Sequence, residues 1–255
     1  MPEKYQLRPA LARLPRLPDL LTTANLCCGT SSILLTAQGE LTFACWLLFL
    51  AAVFDVFDGL AARALGGGTP LGVQLDSLAD MVSFGVAPAF ALRAMATNLA
   101  PDGTYWAAAA ALCICTASAW RLAKFNVDDR QTSGFLGLPT PSNGLFWASV
   151  VLIASGQGFP DNSITAKLHA GVVAFLGSPV LVFGVALVLG LLMLSELPLP
   201  GLKFKHKGWK GNETIFVLIA AGGVSVLFFG LLAVPLLLFL YLLSPVWGKL
   251  FPTAP

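Results

Sequence analysis

Hydrophobic residues in this chain come in long blocks, without the short periodic alternation of a soluble helix or strand. Apolar segments fall near 20–38, 41–62, 76–97, 104–124, 143–158, 168–194, 213–230 and 232–248. A helix that crosses a bilayer needs roughly 20 mostly apolar residues, and about 17 to 25 cover the usual range. The pattern therefore predicts an all-α integral membrane protein, a polytopic bundle of about eight transmembrane helices. The fifth segment and the last two are short, so seven spans is the nearest alternative. The final pair requires a tight turn around Gly230 to Pro235. No internal repeat or low-complexity tract interrupts the series. The simplest division is a basic juxtamembrane leader, 1–19, followed by one membrane domain, 20–250.

Composition agrees with this reading. Of the 255 residues 56% are hydrophobic and 11% charged, against about 25% charged in a typical soluble domain. The net charge of +2 comes without the basic cluster of a nucleic-acid-binding surface, so no nucleic-acid partner is expected. Cys27, Cys28, Cys45, Cys113 and Cys115 all lie in apolar stretches, as small buried residues do, and form no CxxC or Cys/His metal spacing. His169 and His206 are isolated.

The distribution of charge is more informative than its sum. Cytoplasmic loops are enriched in lysine and arginine. With the N-terminus inside, the inner segments hold Lys4, Arg8, Arg13, Arg16, Arg63, Arg121, Lys124, Arg130, Lys203, Lys205, Lys207, Lys210 and Lys249, which is 13 of the 15 basic residues. Lys167 falls in an outer loop, and Arg93, near the outer end of the third span, snorkels outward. Both termini are expected in the cytoplasm, at a bacterial inner membrane. The basic start resembles a signal peptide, but no A-x-A-like cleavage site follows, so it reads as a leader to a first transmembrane helix.

Four of the thirteen acidic residues, Asp55, Asp58, Asp76 and Asp80, sit in or beside the second and third apolar segments. An ionisable group at membrane depth is expensive, about 2.5–3.5 kcal/mol for Asp on insertion scales, and is a functional candidate by default. Asp55 and Asp58 are spaced i,i+3 and Asp76 and Asp80 i,i+4, so each pair shares a helix face. Topology puts both pairs near the cytoplasmic ends of their helices. Four carboxylates around one shallow site would repel one another unless hard cations intervened, and Mg²⁺ or Mn²⁺ with oxygen ligands meets that need. Two such ions can clamp a phosphoryl group during in-line displacement. The blander reading, that these aspartates cap helices, suits Asp76 alone. Gly59, Ala62, Gly66, Gly67, Gly68 and Gly72 lie between the pairs, and small residues allow close approach of a ligand or of another helix. Arg63, one turn beyond Gly59, is placed for a phosphate oxygen.

Read together, Asp55-x2-Asp58-Gly59-x2-Ala62-Arg63-x8-Gly72-x3-Asp76-x3-Asp80 resembles the signature of the CDP-alcohol phosphatidyltransferases at all eight fixed positions. The resemblance implies that an alcohol attacks the lipid-side phosphate of a CDP-linked lipid and CMP leaves. It implies that Asp55, Asp58, Asp76 and Asp80 hold two divalent cations, with Asp80 also the catalytic base. Gly59, Ala62, Arg63 and Gly72 would bind CDP, with Asn25 as a further candidate. It also implies a homodimer.

Leu75-Asp-Ser-Leu-Ala-Asp80 with Ser83-Phe-Gly-Val-Ala-Pro88, Arg121-Leu-Ala-Lys-Phe-Asn126, Gly137-Leu-Pro-Thr-Pro141, Thr22-Thr-Ala-Asn25 and the lysine-rich 195–212 segment are similar to the phosphatidylserine synthase branch. Lys124 and Ser142-Asn143 depart from that branch. The partners so implied are CDP-diacylglycerol, L-serine and membrane lipids. Arg121 and Asn126, at the inner end of the fourth span, are candidates for serine, a guanidinium being able to hold its carboxylate bidentately. Arg121 as an ordinary positive-inside anchor is the equal alternative. Ser83 either faces the pocket or bonds backbone. Two other readings remain at this point. One is the same chemistry on glycerol 3-phosphate or inositol phosphate. The other is a cation or proton transporter, whose acids would normally sit at the midplane of repeated, interrupted helices.

Overall fold

The structure is a computed structural model, and it describes residues 15–128, 134–158, 160, 162–200 and 213–244. Most of the leader, Arg130, the lysines of 203–210 and Lys249 lie outside the described residues. Helix α1 (Leu17–Ala37) carries Pro18 in its first turn and runs back against α2 (Leu41–Ala64). After α2 the chain turns through Gly66 (φ +88°) and Gly67 (φ +110°), a left-handed pair that residues with a Cβ rarely adopt. The Thr69 hydroxyl then accepts the Gly72 N–H at 2.9 Å and caps α3 (Pro70–Asp80), with Pro70 supplying the preset φ of a first helical residue.

Directly after Asp80 the helix widens into one π turn, Met81–Val86, before continuing as α4 (Ala87–Leu99). This turn is wedged by small residues on three neighbours. A Cβ at Gly29 of α1 would lie 2.7 Å from the Ser83 Cα, and one at Gly144 would lie 2.7 Å from the Phe84 carbonyl oxygen. Gly85 itself faces the Ser118 Cβ, 3.1 Å from where its own Cβ would be. Lipid tails are as apolar as leucine, so close packing of small residues, not exclusion from water, holds such helices together.

Helix α5 (Thr104–Val127) follows a short 3₁₀ turn. Strand β1 (Gly134–Leu136) pairs antiparallel with β2 (Pro198–Pro200), in the register Gly134↔Pro200, Phe135↔Leu199 and Leu136↔Pro198. Between the strands lie α6 (Thr140–Ala154), α7 (Ser163–Leu176) and α8 (Pro179–Leu194); α9 (Glu213–Phe229) and α10 (Ala233–Leu242) complete the bundle. The core is formed largely by α4, α5, α6 and α8 around the fully buried Trp147, with Gly190 of α8 fitted against Ala117 of α5.

The span map differs from the expected one in three places. Among the described residues five helical stretches are apolar and long enough by length and composition to cross a bilayer, the last of them, Phe216–Leu242, being the α9–α10 pair taken together, and a sixth counts if the bent α7–α8 pair is one span. The 168–194 segment is not a single rod, because the helix breaks at Gly177–Ser178 and α8 leaves α7 at 92°. Pro179 removes the amide that a continuing helix would need. The third segment starts earlier than its hydropathy suggested, at Pro70, so Asp76 lies well inside the helix and not at its start. Finally, α6 has 15 residues, about 22 Å at 1.5 Å per residue, short of a full hydrocarbon core of about 30 Å. The 216–242 stretch folds back on itself. Gly230 takes φ +57°, and a Leu237 methyl lies 3.5 Å from where a Cβ of Gly222 would be, so α10 packs along α9.

Candidate active site

Asp55 and Asp58 project from the last three turns of α2, and Asp76 and Asp80 from the second half of α3. The helical spacing that set each pair on one face brings three of the four together. One carboxylate oxygen each of Asp55, Asp76 and Asp80 lies within 4.8 Å of the others. Asp55 and Asp80 are within hydrogen-bonding reach of each other, and Asp80 is buried, with 8% of its surface exposed. Asp58, one turn further along α2, accepts the Thr22 hydroxyl at 2.7 Å and faces an adjoining cleft. Behind the trio, the Asn25 amide donates to Asp80 at 3.3 Å. Asn25 is itself held by Ser83, whose hydroxyl donates to the backbone carbonyl oxygen of Asn25 at 3.0 Å. The π turn thus stations Ser83 against α1, and α1 in turn supports Asp80.

The donor set suits a hard divalent cation. It is all oxygen, it converges from two helices, and a bound cation would offset its mutual repulsion. Asp55, Asp76 and Asp80 are the residues that would hold the ion, with Asp58 beside them.

The cleft next to the trio encloses about 500 Å³, part of it open to solvent. Its walls come from the start of α1 (Arg16, Asp19, Thr22), the end of α2 (Asp58, Gly59, Ala62) and the start of α3 (Gly68, Thr69, Gly72). Gly59, Ala62 and Gly72, expected at the CDP site, all line it. Arg63 is exposed on the next turn of α2, its guanidinium 3.6 Å from where a Cβ of Gly59 would sit. Asn25 is fully buried against Asp80 and does not line the cleft. Asp19 and Thr69 were not singled out by sequence reasoning. Their signal was present: a Thr-Pro pair marks a helix start, and placing that start at Pro70 puts Thr69 beside Gly72.

The three serine-site candidates occupy different settings. Arg121 is buried on α5, its Nε donating to the Leu138 carbonyl at 2.8 Å and its guanidinium 5.6 Å from the centre of the Phe125 ring. It lies within electrostatic reach of Asp80 and Tyr241. Asn126 is exposed and tied to α3, its amide donating to the Ser77 hydroxyl at 2.9 Å next to Asp76. Ser83 is fully buried, its proton committed to Asn25.

Comparison with known protein families matches residues 16–223 to CDP-alcohol phosphatidyltransferase. Among curated proteins, the CDP-diacylglycerol--serine O-phosphatidyltransferase of Helicobacter pylori (strain J99) is 31% identical, over 79% of this chain and 77% of its own length. The protein of the same name from Methanocaldococcus jannaschii is 30% identical over 78% of this chain and 79% of its own. The archaetidylserine synthase of Methanothermobacter thermautotrophicus is 39% identical over 49% of this chain and 53% of its own. The matched stretch contains the whole carboxylate trio and the cleft beside it, and the chain belongs to the CDP-alcohol phosphatidyltransferase family.

Proposed function

We propose that this protein transfers the phosphatidyl group of CDP-diacylglycerol to the hydroxyl of L-serine, giving phosphatidylserine and CMP. The observation that carries the reading is the convergence of Asp55, Asp76 and Asp80 beside a cleft walled by small residues. Extensive similarity to relatives named for this reaction supports serine as the acceptor. Family membership in a transferase group leaves the transporter reading without support.

In this reading Gly59, Ala62 and Gly72 leave room for the cytidine and Arg63 attends a diphosphate oxygen. Two divalent cations, Mg²⁺ or Mn²⁺, would neutralise the diphosphate and the charge growing on the CMP leaving group. Asp80 takes the proton of the serine hydroxyl as it attacks. The amide of Asn25 fixes which Asp80 oxygen is free to do so. Arg121 attracts the serine carboxylate, and Asn126, through Ser77, steadies the α3 turn that carries Asp76. Ser83 acts on the site through Asn25.

The bias of lysine and arginine along the chain supports cytoplasmic termini, a 1–19 leader on the inner surface of the cytoplasmic membrane, and a 20–250 membrane domain with its site open to the cytosol. A homodimer accords with the family resemblance.

An acceptor panel tests the proposal. Purified protein in detergent or lipid receives CDP-diacylglycerol, Mg²⁺ or Mn²⁺, and labelled L-serine, glycerol 3-phosphate or inositol phosphate in separate reactions. Phosphatidylserine with stoichiometric CMP from serine alone is the expected result. Turnover with a phosphorylated acceptor instead would keep the chemistry and discard serine.

A further inference from the structure

Thr140 and Asn143, in the first turn of α6, take no part in the reaction described above, yet each keeps a buried oxygen unused. Thr140 is 0% exposed and Asn143 1%. Among the described residues neither the Thr140 Oγ1 nor the Asn143 Oδ1 has a hydrogen-bond partner. Buried side-chain oxygens are rarely left so, because each forfeits the hydrogen bond it would make in water. An amide oxygen can only accept, so the partner missing at Asn143 Oδ1 is a donor.

The place of these residues in the bundle narrows what that donor is. Two residues before Thr140, the Leu138 carbonyl accepts from Arg121 Nε at 2.8 Å. The Asn143 N–H donates to the Pro139 carbonyl at 3.1 Å and closes the helical turn on that anchor. Next along, a Cβ at Gly144 would lie 2.8 Å from the Phe84 Cα, so α6 meets the π turn there backbone to backbone. Because α5 runs back between them in the chain, α3–α4 and α6 run in the same direction. One turn back from Phe84 is Asp80, and one turn back from Gly144 is Thr140, which brings Thr140 to the level of Asp80.

Asp80, Arg121 and the first turn of α6 thus face one region from three helices. Serine carries three polar groups. Its hydroxyl belongs at Asp80 and its carboxylate at Arg121, which leaves the ammonium, a group with donors only. A phosphorylated acceptor would set oxygen against the Asn143 oxygen, with no proton between them.

Building on the serine reading, we propose that Thr140 and Asn143 form the amino-group subsite of the acceptor, each accepting a hydrogen bond from the serine ammonium. They are specificity-determining residues, and with Asp80 and Arg121 they give the three contacts that distinguish L-serine from acceptors without an amino group.

The test compares serine with analogues that lack one group each. Wild type, Asn143→Ala and Thr140→Val are assayed with CDP-diacylglycerol and labelled L-serine. L-Serinamide, which keeps the ammonium, and 3-hydroxypropionate, which lacks it, serve as competitors. Ratios of constants within one preparation do not depend on the fraction folded, and Thr140→Val keeps the side-chain shape while removing the hydroxyl. Asn143→Ala is expected to raise KM for serine and the inhibition constant of serinamide together, about tenfold or more. The inhibition constant of 3-hydroxypropionate should hold. Thr140→Val should show the same split, smaller. An equal rise in all three constants would overturn the proposal. It would assign the Asn143 oxygen to packing, or to a water bridging it to Trp147 Nε1, which also lacks a partner among the described residues. Unchanged constants, or a rise confined to serine and 3-hydroxypropionate, would overturn it too, as would a wild type that serinamide does not inhibit. Failure of wild type to turn over serine at all would instead sink the serine reading.

Discussion

The carboxylates around Asp80 and the Arg121 guanidinium within electrostatic reach of it are anchored in different ways. On one side Asp55, Asp58 and Asp76 each stand on a regular helix, so their directions follow from i,i+3 and i,i+4 spacing once α2 and α3 are adjacent. On the other side Arg121 stands on α5, but its guanidinium is aimed by the Leu138 carbonyl. That carbonyl is set by a loop whose neighbours come from far along the chain. The Gly137 N–H donates to Leu197 O and the Leu138 N–H to Leu192 O, while β1 pairs with β2 beyond them. The first side is local and rigid; the second depends on tertiary contacts between segments some sixty residues apart. Damage to the first side should therefore remove chemistry, and damage to the second should loosen acceptor binding.

The largest expected effect lies on the helical side. Asp80→Asn keeps the shape and an acceptor for Asn25 but cannot take up the serine proton, so kcat should fall by about 10² to 10⁴. CMP binding, which relies on the α2 and α3 cleft, should change little. Steady-state CMP release together with nucleotide binding checks both. Turnover close to wild type in this variant would remove Asp80 as the base.

A smaller and different effect is expected from Arg121→Lys. Lysine keeps the charge but not the planar fork, and it cannot hold the Leu138 carbonyl while also presenting two donors to a carboxylate. Loss of a charge-assisted hydrogen bond is typically about 1.5–3 kcal/mol, so KM for serine should rise roughly ten- to hundredfold while KM for CDP-diacylglycerol holds. Serine titrations at saturating donor distinguish the two. An equal rise in both constants would mean that Arg121 shapes the whole bundle, as an ordinary membrane anchor would.

The same contrast explains what was legible in the sequence. The carboxylate trio was readable because helical periodicity alone puts Asp76 and Asp80 on one face, and the cost of acids at membrane depth flags them. Arg121 was readable as a candidate but not in its role, since nothing in the residues near 121 announces Leu138 as its partner. The π turn after Asp80 was invisible, because Met81–Val86 has an ordinary apolar composition and the turn is held by Gly29 and Gly144 from elsewhere. The break between α7 and α8 had a signal, Gly177-Ser-Pro179, which hydropathy over a long window averages away. The turn between α9 and α10 was legible in Gly230 and Pro235, and Gly230 takes left-handed backbone there, whereas the 15-residue length of α6 was not legible from its apolar composition alone.

The smallest effect sharpens the comparison most, since it uses one substitution in two places. Gly66 and Gly137 both take left-handed backbone, at φ +88° and +73°. A Cβ at Gly66, in the turn from α2 to α3, would meet nothing within 4 Å. A Cβ at Gly137 would lie 2.7 Å from both the Met193 and Ser195 carbonyl oxygens. Gly66→Ala therefore carries only the left-handed penalty of about 1–2 kcal/mol and should lower the apparent melting temperature in detergent slightly, with serine KM unchanged. Gly137→Ala carries that penalty and must also push the Leu138 segment off the end of α8. It should lower the melting temperature further and raise KM for serine in the same sense as Arg121→Lys, because the carbonyl that aims Arg121 moves. If the two alanine variants matched in both stability and serine KM, the Leu138 loop would have no part in holding Arg121, and the division of the site into a local and a tertiary side would fail.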